Sequence, residues 1–101
     1  VEANHLHLTG QVVETGRVRV SPAGVPQVRF VIEHRSRQEE AGGAREARLR
    51  MYVKVAGEPL ASMAAALEPG ERVDVEGFLS RAGFRASEAQ LVLNARRITR
   101  A

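Results

Sequence analysis

At 101 residues the chain is expected to form one domain, 1–101, with a single modest core. Having no Cys, it excludes disulfides, Cys-ligated metals and thiol catalysis, and no stretch is laid out as a membrane span or signal peptide, so a cytoplasmic setting is expected. The net charge is only +3, yet residues 17–50 and 81–101 each carry +4 while 51–80 carry −3 and 1–16 carry −2.

His5 to Val12 alternates, with Leu6, Leu8 and Val12 on one face, and reads as strand one. Arg17-Val18-Arg19-Val20 continues it or pairs with it. Ser21-Pro22-Ala23-Gly24-Val25-Pro26 is a tight turn, with two prolines fixing φ and a glycine free to take positive φ. Strand two runs from Gln27 to Arg35, with Val28, Phe30 and Ile32 on its apolar side. The polar run from Arg35 to Gly42 is then expected to leave the sheet as a long loop, and a loop of that length on a small β domain suggests a binding element.

Strand three, Arg45 to Ala56, alternates most clearly of all. Ala47, Leu49, Met51, Val53 and Val55 are expected inward, and Glu46, Arg48, Arg50, Tyr52 and Lys54 outward. The period changes at Pro59 to Leu67, an Ala-rich stretch that opens on Pro and stops before Pro69-Gly70. It predicts a short helix with Leu60, Met63, Ala64 and Leu67 buried. Arg72 to Ser80 is strand four, with Val73, Val75 and Leu79 inward. Residues 81–88 form a loop, and Ala89 to Thr99 is strand five, with Leu91 and Leu93 inward. Five strands with one helix between the third and fourth is the order of the OB-fold. The expected class is therefore all-β, a five-stranded Greek-key barrel with a short helix between strands three and four.

Fourteen of the fifteen basic residues are Arg. The planar guanidinium fork suits phosphate and stacks on bases. GC-rich coding also favours Arg, but it does not explain the clustering. The stripe Arg48, Arg50, Tyr52, Lys54 falls where an OB-fold receives single strands, with cations for phosphates and Tyr52 as a stacking face. A solvated sheet face is the plainer reading of the same stripe. His5-Leu6-His7 is a polar strand face; a metal site would need further ligands, and no spacing supplies them. Glu33, Glu39 and Glu40 read as surface charges. No nucleophile–base pair or glycine-rich phosphate loop appears, so neither enzyme chemistry nor a cofactor is expected.

The strings Ser21-Pro22-Ala23-Gly24-Val25-Pro26, Phe30-Val31-Ile32-Glu33-His34-Arg35-Ser36 and Gln38-Glu39-Glu40-Ala41-Gly42 closely resemble the PriB family, primosomal replication protein N. Leu8-Thr9-Gly10 and Val75-Glu76-Gly77-Phe78-Leu79 look like the same family's remaining blocks. The resemblance covers essentially the whole chain. It implies an OB-fold homodimer, related to bacterial single-stranded DNA-binding proteins, that serves replication restart at stalled forks. It further implies a nucleoid-associated protein that binds single-stranded DNA, contacts the helicase PriA and the loader protein DnaT, and is not an enzyme.

By the same resemblance Arg19 is a basic position before the turn, and Arg35 is the Arg of the Glu-His-Arg-Ser motif. Arg81, Phe84 and Arg85 stand in the DNA-gripping loop between strands four and five. Gly43 and Arg48 occupy positions where some members carry aromatics, and Gly83 and Gln90 replace loop positions that can be basic. Binding is thus expected to lean on charge and to fall steeply with salt. The alternative is a primosome protein–protein adaptor whose DNA binding is weak or vestigial.

Overall fold

The structure, a computed structural model, describes residues 1–83 and 89–101. Its long strands are β1 (Leu6–Glu14), β3 (Pro26–Glu40), β4 (Gly43–Ala56), β5 (Arg72–Arg81) and β6 (Leu91–Arg100). A two-residue β2 (Arg19–Val20) and one helix, α1 (Leu60–Ala65), complete it. β1 pairs with β5, β5 with β6, β6 with β4, β4 with β3, and β3 returns to β1. The five long strands therefore close a barrel, and α1 falls between the third and fourth of them, the order the sequence predicts.

Alternation places the core. Val12, Val28, Phe30, Ile32, Val53, Val55, Val73, Val75 and Leu93 point inward and are buried. The helix packs on β3, β4 and β6 and buries Ala61 and Ala64, with Leu67 just beyond it. Glu58 holds its first turn, accepting from the Ser62 amide at 2.8 Å and the Ser62 hydroxyl at 2.7 Å. Two glycines let strands approach closely. A Cβ on Gly10 would sit 2.8 Å from the Glu33 carbonyl oxygen, and one on Gly77 would overlap the Asn94 carbonyl.

The expected long loop after Arg35 does not exist. β3 continues to Glu40 and β4 begins at Gly43, so Ala41 and Gly42 alone make the turn, at φ 52° and 79°. Two consecutive positive φ values are the pattern of a type I′ hairpin. The pair of strands runs past the barrel as an arm. From Arg37 to Glu46 every residue is exposed, so this stretch loses the apolar–polar contrast by which a strand is read. The same geometry corrects the inward stripe of strand three: Val53 and Val55 are buried and Met51 is half-buried, but Leu49 is 39% exposed.

Two further expectations change. Arg19–Val20 pairs with Pro26 and Gln27 of β3, across the Pro-Gly turn, and not with β1. Local geometry favours this, because the Ser21 amide bonds the Val25 carbonyl at 2.9 Å and Gly24 takes φ 83°. Leu91, at the barrel rim, is 42% exposed, whereas Leu93 is fully buried as expected.

Candidate nucleic-acid interface

Residues directly opposite in an antiparallel pair share a face. The β3–β4 register therefore builds the outer surface row by row: Arg29 beside Lys54, Val31 beside Tyr52, Glu33 beside Arg50, Arg35 beside Arg48. Tyr52 stands 62% exposed next to a buried Val31. Arg35, Arg48, Arg50, Tyr52 and Lys54 thus lie together on one face. Arg19 joins them through Arg29, since both line a 350 Å³ cleft with Arg17 and Gln27. Arg81 is exposed at the end of β5 opposite Leu91, which lines a 610 Å³ cleft with Arg29, Arg50 and Tyr52. Phe84 and Arg85 fall outside the described residues.

Glu33 is not a solvated surface charge. Its carboxylate lies 3.6 Å from Arg35 Nε, 3.5 Å from Arg48 Nη2 and 3.4 Å from Arg50 Nε, and its side chain is only 16% exposed. Desolvation pushes the Glu33 pKa up. The Arg48 charge, hydrogen bonds from Arg50 and Arg48, and the Arg35 charge outweigh it and hold the group below the ordinary carboxylate value. One anion therefore holds three guanidinium groups in a fan on the outer face. Strand pairing reveals this hub; a polar position on a strand gives no hint of it.

The row continues onto the other side of the barrel. Lys54 lies beside Asn94 of β6, and Asn94 beside Phe78 of β5. The guanidinium of Arg96 covers the Phe78 ring, 4.9 Å from its centroid. Sequence reading passed over Arg29, Phe78 and Arg96. The available signal was Phe78 itself, an aromatic out of phase with the inward residues Val73 and Val75. His5 and His7 lie near Glu76 and Asp74, at 3.7 and 3.9 Å. Among the described residues no three metal-ligating side chains gather, and no helix is long and apolar enough to cross a membrane.

A family model described as another single-strand binding protein family matches residues 4–97. A replication restart protein PriB from Proteus mirabilis is 44% identical over 96 residues, covering 95% of this chain and 91% of the relative. The chain belongs to the PriB family. A second PriB, from Yersinia pestis bv. Antiqua, is 40% identical over 97% of this chain and 92% of its own. The structure of PriB from Ralstonia solanacearum superimposes with a TM-score of 0.84 at 28% identity, covering 99% of this chain and 100% of that one. The single-stranded DNA binding protein from Thermus aquaticus superimposes with a TM-score of 0.77 at 24% identity, over 98% of this chain and 50% of that one. This chain thus shares its barrel with single-stranded DNA-binding proteins.

Proposed function

We propose that this PriB-family chain binds single-stranded DNA as an accessory protein of replication restart, bridging the helicase PriA and the loader DnaT at stalled forks. The observation that carries the reading is the outer face of β3 and β4. Arg29, Arg35, Arg48, Arg50 and Lys54 flank an exposed Tyr52 there, on a fold shared with single-stranded DNA-binding proteins. The cations neutralise phosphates, and Tyr52 offers a ring to a base. Arg19 and Arg81 extend the basic track, and the family resemblance adds Phe84 and Arg85, which lie outside the described residues. The protein works in the cytoplasm at the nucleoid as a homodimer. The β1 segment Leu6–Thr9, paired only with β5 among the described residues, offers its other edge to a second copy.

Titration of labelled oligo-dT at several salt concentrations tests this, with an Arg48, Arg50, Lys54 triple Ala variant alongside. Wild type should bind at low salt with a steep salt slope, and the variant should lose about 0.7 of slope for each phosphate contact removed. Equal binding by the two proteins refutes the placement. The adaptor reading has its own support, because Glu33 already engages three of the arginines and Gly43 and Arg48 stand where aromatics would stack. Retained PriA or DnaT binding with no oligo-dT binding at low salt would favour it.

A further inference from the structure

The β5–β6 ladder contains an irregularity with a chemical result. Glu76 pairs with Arg97 and Gly77 with Ala95, so Arg96 has no partner across the strand. Ala95 packs against the core and Ile98 is buried. Simple alternation from Ala95 would send Arg97 into the barrel. The bulge instead leaves Arg96 and Arg97 both exposed. Arg96, two residues on from Asn94 and on the same face, lies over Phe78, the outward aromatic of β5. Gly77 lets β5 and β6 approach closely here, since any Cβ there would collide with the β6 backbone.

The surroundings form a shallow binding site. Lys54, Ala56, Phe78, Asn94, Ala95 and Arg96 line a 390 Å³ cleft. Its floor is an aromatic ring and its rim carries two cations. Asn94 is a fixed wall, its amide donating to the Ser80 hydroxyl at 2.8 Å and the Phe78 carbonyl at 3.2 Å. The lid is the side chain of an exposed residue with no ion pair among the described residues. Strand pairing makes the cleft continuous with Tyr52 and Lys54, two strand spacings (~10 Å) from β4 to β5.

We propose that Phe78 is a nucleobase platform gated by Arg96. A base of the single strand replaces the guanidinium on the ring, and Arg96 and Lys54 take the flanking phosphates. The track then runs from the β3–β4 arm across β6 onto β5, and Phe78 stands in for the aromatics absent at Gly43 and Arg48. This rests on the single-strand reading above.

The chain has no Trp, so Phe78→Trp places a single reporter at the platform. Oligo-dT should quench that fluorescence, and an abasic oligomer of equal length should not. Phe78→Leu keeps an apolar side chain and removes the stack. It should weaken oligo-dT binding about 5- to 50-fold while leaving abasic binding unchanged. Circular dichroism melting checks that both variants fold. If the Trp signal does not respond while DNA is bound, or Phe78→Leu binds like wild type while the Arg48, Arg50, Lys54 variant is impaired, the platform is refuted and the β3–β4 face stands. If wild type binds no oligo-dT at low salt, the single-strand reading falls and takes the platform with it.

Discussion

Glu33→Gln isolates the charge hub with little change of shape. Glu33 contacts Arg35, Arg48 and Arg50 at 3.4–3.6 Å, so the local set changes from three cations and one anion to three cations. If those arginines meet DNA, the carboxylate occupies the place of a phosphate and competes with one. The freed capacity is one phosphate contact. On a single strand that steepens the slope of log K against log salt by about 0.7. Between 50 and 200 mM salt, the ratio of variant to wild-type affinity should then fall by about 2.6-fold, with the variant the tighter binder at 50 mM. Fluorescence anisotropy of a labelled oligo-dT across that range reads both numbers. Weaker binding by Glu33→Gln at every salt would refute competition and show that the anion serves to hold the arginines in place.

Acid should expose the same hub in the absence of DNA. The folded-state pKa of Glu33 lies below its ordinary value of 4.5, so its stabilising contribution is full above that value and is lost as pH falls through the folded pKa. Urea midpoints of wild type and Glu33→Gln should therefore converge as pH drops below 4.5. Ile32→Ala, at a fully buried barrel position, should cost about 2–5 kcal/mol, seen as a lower urea midpoint at unchanged slope. Gly77→Ala should cost about 2–3 kcal/mol by forcing β6 away from β5, measured the same way. Ala41→Asn should firm the arm turn by about 0.5–1 kcal/mol, because Asn tolerates φ 52° better than Ala. Slower amide exchange confined to the arm would register it.

The barrel was legible in the sequence because each wall strand has one dry face. Val28, Phe30 and Ile32, then Val53 and Val55, then Val73 and Val75 mark that face by simple alternation, and the Ala-rich stretch before Pro69-Gly70 marks the helix. The arm was illegible for the converse reason. Between Arg37 and Ala44 the order comes from backbone pairing, and the side chains record no inside or outside. The candidate site divides the same way. The stripe Arg48, Arg50, Tyr52, Lys54 shares one strand and could be found from spacing. The Glu33 hub needs the β3–β4 register, and the pairing of Arg96 with Phe78 needs the β5–β6 register.

Closure protects the backbone of the barrel but not that of the arm. Beyond Glu33 on β3 and before Val53 on β4, each strand is paired only with the other among the described residues, leaving two open edges. Open edges of this length invite strand addition by other chains, and like charge along them opposes it. Arg35, Arg37, Arg45, Arg48 and Arg50 outnumber Glu39, Glu40 and Glu46 on these strands, so the net charge offered to a polyanion also opposes one molecule zipping onto the next. Removing these arginines, or screening them with concentrated salt, should therefore show itself as self-association as well as lost affinity. Light scattering of the triple Ala variant belongs beside its DNA titration, since a drop in free protein would otherwise pass for a weaker site.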